Sequence, residues 1–382
     1  MQGIYMDNAA TSFPKPECVY QAVDFFNRQL GGSPGRGSHQ RTLQAGSILL
    51  ETREALAKLF GIAESNYIAF CLNITEAINT GLKGLLRSGD HVITTSMEHN
   101  AVARPLQVLA GQGITWTAVA CAPDGTLDPE EVRKAIRPQT RLICMLHASN
   151  VTGTIMPIGE VGKLAREHGL LFMLDSAQTA GVLPIDVKAQ HIDVLAFTGH
   201  KSLLGPQGTG GIYVRPGLRV RPLKEGGTGS LSEFLEQPEA MPDNLESGTP
   251  NTPGIAGLLD AVSFIQDRSL ETIRSHEQKL SQMLISGLQG VKGIKLYGPC
   301  DPLRQTAVLS FNLEDWDCGE LSFILEQHHG IITRSGLHCA PMAHRSLGTL
   351  RSGSCRISPG LFNTEEEVAQ VIEALEQIAR KK

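Results

Sequence analysis

Seven short apolar or β-branched runs between residues 67 and 214, interleaved with helical patterns, leave few folds open to this chain. The runs read YIAFCL, HVITT, ITWTAV, RLICMLH, LLFMLD, VLAFTG and GGIYV. Helix-like stretches at Thr75 to Leu86, Pro129 to Ile136 and Ile158 to His168 lie among them. Such alternation predicts an α/β fold: a mostly parallel seven-stranded sheet covered by helices on both faces. From Leu223 to Pro253 the chain is dense in Gly, Pro, Ser, Thr and Asn, which predicts long loops.

Beyond that stretch the rhythm changes. Helical patterns near Pro253 to Gln266 and Leu270 to Leu288 lead to a strand at AVLSFNL, a helix near Gly319 to Gln327, and short strands at GIITR and SCRIS. A last helix opens at Thr364, an N-cap residue followed by Glu365, Glu366 and Glu367 in the first turn. Three parts are therefore expected: an extended arm over residues 1–15, a large domain over 16–260, and a smaller α+β domain over 261–382.

A length of 382 residues suits one large and one smaller domain. Net charge is −5, with no long basic run, so a nucleic-acid binder is not expected. Only Arg380, Lys381 and Lys382 cluster, as at a frayed helix end. The first 16 residues lack the apolar core of a signal peptide, and no segment approaches the roughly 20 apolar residues that span a bilayer. A cytoplasmic location without membrane contact is the expectation. Eight cysteines form no C-x-x-C pair, which suits thiols in a reducing compartment, and no metal site is expected. Cys71 and Cys144, within apolar runs, read as buried small apolar residues.

In an open parallel sheet, ligands bind beyond the carboxyl ends of the strands. The polar residues there are Asn73, Thr75 and Glu76 after the first run, Glu98, His99 and Asn100 after the second, and His147 and Asn150 after the fourth. Asp175 and Gln178 follow the fifth, and Thr198, His200 and Lys201 the sixth. Taken singly, each reads as a helix cap or turn residue. A buried strand ending in an aspartate, followed 26 residues later by another ending in T-G-H-K, puts an acid and an amine on one rim.

D-S-A-Q at 175–178 together with T-G-H-K at 198–201 resembles the class V aminotransferase-fold enzymes that use pyridoxal phosphate (PLP). M-E-H-N at 97–100, S-N-V-T-G at 149–153, E-S-G-T-P-N at 246–251 and R-S-G-L-H-C at 334–339 narrow the resemblance to the group II cysteine desulfurase and selenocysteine lyase branch. It runs in order from D-N-A-A at 7–10 to L-F-N-T at 361–364. The resemblance implies the PLP-dependent transferase fold of type I.

It also implies a set of roles. PLP needs a lysine for its aldehyde, a carboxylate for its ring nitrogen and a cup for its phosphate. Lys201 and Asp175 meet the first two needs. Gln178 and Asn150 would hold the phenolic edge of the ring, and His99 would stack on its face and move protons. The phosphate falls to backbone N–H groups at the helix near Thr75, with the Thr75, Thr198 and His200 side chains. Thr249 would reach it from the partner subunit of a homodimer. Here the chain departs from the family pattern, with Asn73 and Ile74 where a small residue or Gly-Thr is expected.

Arg356 would hold the substrate carboxylate, helped by Asn150 and Arg334. Cys339 would attack the substrate sulfur, since a loop cysteine beside glycine and histidine can supply the reactive thiolate. The implied activity converts L-cysteine to L-alanine, leaving a persulfide on Cys339 for an acceptor protein. L-Selenocysteine lyase activity is the alternative, with another class V aminotransferase or lyase, or a carrier without catalysis, behind it. After the cysteine the chain reads C-A-P-M-A-H-R-S-L-G-T rather than C-A-Q-P or C-A-M-P, in the segment where the family's acceptor docks.

Overall fold

The structure, a computed structural model, describes residues 3–35, 37 and 39–380. Lys381 and Lys382 of the basic end, and Met1 and Gln2 of the arm, lie outside the described residues.

The chain opens with a two-residue strand, β1 (Ile4–Tyr5), then α1 (Glu17–Phe25) and α2 (Gln40–Phe60). The large sheet follows as β2 (Ile68–Cys71), α3 (Ile74–Leu85), β3 (His91–Thr95), α4 (Asn100–Ala110), β4 (Thr115–Val119), α5 (Pro129–Lys134), β5 (Thr140–Leu146), α6 (Ile158–Glu167), β6 (Leu171–Asp175), β7 (Val194–Thr198) and β8 (Gly210–Val214). Its seven strands run in the order β2-β8-β7-β6-β5-β3-β4. Only β8 is antiparallel to its neighbours, β7 and β2. Every residue of β3, β6, β7 and β8 is buried, because helices cover both faces.

Amphipathic spacing explains the cover. The stripe Ile74, Ala77, Ile78, Leu82 and Leu85 turns α3 onto the sheet, and Val102, Leu106 and Leu109 do the same for α4. These two helices share one apolar cluster with Val92, Leu142, Met173 and Ile212. The other face packs α2, α6 and α7 (Thr252–Arg268) through Leu56, Phe60, Val161, Leu164, Leu258 and Ile265. Residues 215–251 form no helix or strand, as their composition predicts.

A second sheet begins after α8 (Leu270–Gln289) with β9 (Ile294–Tyr297) and β10 (Leu309–Leu313). Then come α9 (Cys318–His329), β11 (Ile331–Ile332), β12 (Arg334–Gly336), α10 (Pro341–Ser346), β13 (Ser354–Ile357) and α11 (Glu365–Arg380). Its four strands are ordered β12-β13-β10-β9, all antiparallel. Thr364 Oγ1 caps the last helix by accepting the Glu367 N–H at 3.2 Å. Sequence periodicity missed β9 and α10, each too short to show a period.

The arm belongs to this second body. β1 pairs in parallel with β11, and Met6 is fully buried in the apolar cluster of Leu280, Phe311 and Ile357. No helix among the described residues is long and apolar enough to cross a membrane.

Candidate active site

The strand-end residues converge where the large sheet meets the second body. Asp175 is the last residue of β6 and is 5% exposed. Its Oδ1 accepts the Ala177 N–H at 2.9 Å. Burial raises its pKa, while that N–H and the nearby Lys201 amine pull it back. On the adjacent strand β7, T-G-H-K closes the rim. Gly199 is required there because a Cβ would meet Thr209 Oγ1 at 2.1 Å. Thr198 is buried and turned to the Thr209 carbonyl at 3.4 Å.

The peptide before Lys201 is clamped by the arm. The His200 carbonyl accepts from the Ser12 N–H at 3.0 Å, Thr11 Oγ1 at 3.0 Å, Ser12 Oγ at 3.3 Å and Lys15 Nζ at 3.0 Å. Burial lowers the Lys201 pKa to about 8, against the attraction of Asp175 and with the repulsion of Arg356 and Arg334. A partly neutral amine at neutral pH can act as base and nucleophile.

His99 is the N-cap of α4, and its Nδ1 accepts the Ala101 N–H at 3.0 Å. The ring proton therefore sits on Nε2. Burial, followed by the charges of Lys201 and Arg334, lowers its pKa to about 4. Glu98 beside it is fully buried, with Oε1 bonded by Thr95 Oγ1 at 2.7 Å and the Leu146 N–H at 3.2 Å. Burial raises its pKa to about 8.

Asn150 joins the two bodies. Its Nδ2 donates to the His338 carbonyl at 2.7 Å, and its own carbonyl accepts from Arg356 Nη1 at 2.9 Å. Arg356, on β13, is 2% exposed and pairs with Asp7 at 2.6 Å. Arg334 lies opposite it in the β12–β13 register, with its side chain exposed. Gln178 Nε2 donates to the Ala9 carbonyl at 3.0 Å, so the arm also touches this residue.

Cys339 is exposed on the loop between β12 and α10. His338 and Cys339 are consecutive left-handed residues, φ +48° and +57°, a conformation costing each roughly 1–2 kcal/mol. The large domain holds them there. Asn150 bonds the His338 carbonyl, and the Asn100 N–H donates to the Cys339 carbonyl at 2.8 Å. Beyond the loop, Ser346 Oγ donates to Ser96 Oγ at 2.9 Å. His338 is buried with its ring 5.6 Å from that of His344. Burial lowers the His338 pKa to about 2 and that of His344 to about 4.

Two predicted residues stand apart. Thr75 and Thr249 are exposed, outside the enclosed group around Lys201. α3 begins at Ile74 with Asn73 as its N-cap, and the Asn73 side chain takes the Glu76 N–H at 3.0 Å. Thr249 lines a small surface cleft with Leu72, Glu76 and Lys224. Sequence reading missed Asp7 and Lys15 as site residues. The signal was the match at D-N-A-A, but an extended arm carries no periodicity that points a side chain anywhere.

The family model described as aminotransferase class-V matches residues 4–371. A probable cysteine desulfurase of Methanothermobacter thermautotrophicus is 34% identical over 98% of this chain and 94% of its own. A cysteine desulfurase of Escherichia coli O157:H7 is 34% identical over 98% and 93%. Among solved structures, the apo cysteine desulfurase from Thermococcus onnurineus NA1 superposes with a TM-score of 0.93 at 31% identity, covering 100% of this chain and 96% of that one.

Proposed function

The chain belongs to the aminotransferase class-V family and is a cysteine desulfurase, and from that premise we propose that it works with PLP held at Lys201 and collects sulfur on Cys339 as a persulfide. The observation that carries the reading is the pairing of a desolvated lysine and a buried aspartate on adjacent strand ends, with an exposed cysteine on a loop that Asn100 and Asn150 tie to the large domain.

The residues fit PLP. Asn150 Oδ1 and His200 Nδ1 are buried without a partner, the condition of side chains built to meet a polar group. Asp175 would hold the ring nitrogen, His99 the ring face, Gln178 and Asn150 the phenolic edge. Thr198, His200 and the start of α3 near Thr75 would meet the phosphate. The bound cofactor supplies an electron sink for charge developing at the substrate α-carbon.

The chain's own groups do the rest. Arg356, with Arg334 and Asn150, receives the substrate carboxylate. Lys201 Nζ, with a pKa near 8, takes the α-proton and returns a proton as L-alanine forms. His99 donates from Nε2, and with Nδ1 occupied it has no free lone pair to accept a proton; proton uptake in this geometry belongs to Lys201. Cys339 Sγ attacks the substrate sulfur, the S–S bond forms as the C–S bond breaks, and the sulfur stays on the enzyme for an acceptor protein.

A homodimer completes the reading. Exposed Leu72 lies in the cleft that Thr249 lines, an apolar element suited to a second copy that brings Thr249 to the neighbouring phosphate site. Eight free thiols suit the reducing cytoplasm.

Borohydride reduction followed by peptide mapping tests the first half, and the label is expected on Lys201; a label on another lysine overturns the assignment. For the second half, Cys339→Ala is expected to lower alanine release from L-cysteine at least a hundredfold with cofactor absorbance intact. Retained release from L-cysteine sinks the persulfide step.

A further inference from the structure

The buried guanidinium of Arg356 is not free. Its Nη2 donates to Asp7 Oδ1 at 2.6 Å and its Nη1 to the Asn150 carbonyl at 2.9 Å, while Nε has no partner. Asp7 is part of the arm, and the backbone fixes it there. Asp7 bridges Ser358 in parallel, the Asn8 N–H donates to the Ser358 carbonyl at 3.1 Å, and the Ser358 N–H donates to the Met6 carbonyl at 2.7 Å. Met6 anchors this register in the apolar core. The Asp7 carboxylate is therefore set against Arg356 by main-chain pairing rather than by a freely turning side chain.

The charges have a count. Arg334 and Arg356 are direct cross-strand partners, and like charges so placed repel. Asp7 offsets one of them, leaving a single net positive charge from these three groups. Asp7 also keeps 17% side-chain exposure, so it is partly accessible where Arg356 is not.

We propose that Asp7 is a positioning and specificity residue: it holds the Arg356 fork and trims the local charge to match one substrate α-carboxylate. The inference rests on the reading of Arg356 as the carboxylate site. A planar guanidinium recognises a carboxylate through two parallel N–H bonds, so its rotation about the side chain decides whether the fork is presented. With Asp7 removed, Arg356 is buried with one anchor and turns away from that geometry.

Steady-state kinetics of the PLP-loaded enzyme test this. Asp7→Ala is expected to raise KM for L-cysteine at least tenfold while kcat changes less than threefold. Asp7→Asn, which keeps an oxygen acceptor for Nη2 but not the charge, recovers part of the loss. Competition separates positioning from general damage: Ki for L-alanine rises by the same factor, whereas Ki for L-alanine methyl ester, which has no carboxylate, stays within twofold. If Asp7→Ala does not fold, Asp7→Glu, which moves the charge by one methylene, is expected to give the same split. Unchanged or lowered KM in Asp7→Ala or Asp7→Glu overturns the proposal, as does an equal rise in both Ki values. Arg356→Lys keeps the two claims apart. If it leaves KM and the Ki for L-alanine unchanged, the carboxylate reading of Arg356 itself fails; if it raises these two while Asp7→Ala and Asp7→Glu do not, only the role of Asp7 fails.

Discussion

Glu98 is the residue whose chemistry is least obvious from its neighbours in sequence. It sits in the turn after β3 with its side chain fully buried and Oε2 without a partner. Burial raises its pKa to about 8, with Asp175 adding to the rise, so at neutral pH the native state keeps it protonated. A neutral Glu98 lets Asp175 carry the site's buried negative charge without a like charge beside it. The sign of the linkage follows. A raised acid gives stability that is present below the unfolded value near 4.5 and lost as pH rises toward 8. Glu98→Gln has no proton to lose, so its urea midpoint is expected to fall less between pH 6.5 and pH 8 than that of the parent. Parallel pH curves for the two proteins would show that Glu98 is ionised in the fold.

At the level of elements, the loop carrying Cys339 is governed by the hairpin that launches it. Gly336 ends β12 and Gly353 precedes β13, both at positive φ. A Cβ on Gly353 would lie 2.9–3.0 Å from the Gly336 backbone, which cannot yield as a side-chain tip would. Gly353→Ala is therefore expected to cost roughly 1–3 kcal/mol through forced φ and backbone displacement. The shift falls on the loop, so iodoacetamide labelling of Cys339 changes severalfold; unchanged labelling and melting temperature would refute the coupling. This hairpin also marks where sequence reading reaches its end. Runs such as LLFMLD and VLAFT announce their strands because both faces are apolar, and their strand-end residues follow from the sheet. β12 and α10 have three and six residues, too few for a period, and their shape comes from contacts with Asn100, Asn150 and Ser96 far away in sequence. The role of Asp7 was illegible for the same reason: its pairing with Arg356 spans 349 residues.

Across the whole molecule, the two bodies and the arm meet on a surface rich in imidazoles kept neutral. Burial lowers the pKa of His99, His200 and His344 to about 4, of His147 to about 3 and of His338 to about 2. Each lies below the ordinary histidine value, so the unfolded chain takes up protons near pH 6.5 that the native state refuses. Stability from these groups is present above that pH and lost as pH falls. Glu98 and Glu277 work in the opposite sense, their pKa values raised by burial to about 8 and about 7. Below pH 6.5 five histidines outweigh two acids, and from there to about pH 7.5 the acids change more than Lys15 and Lys201, whose pKa values burial lowers to about 8. The cofactor-free chain is therefore expected to be most stable near pH 6.5. Each net proton taken up on unfolding contributes a slope of about 1.4 kcal/mol per pH unit. Urea unfolding at half-unit steps from pH 5 to pH 7.5 measures this directly. A midpoint that rises to pH 6.5 and then declines fits a fold whose junction excludes charge from its imidazoles. A midpoint that is flat below pH 6.5 would mean that these histidines are protonated in place, and that the junction is wetter than its packing implies.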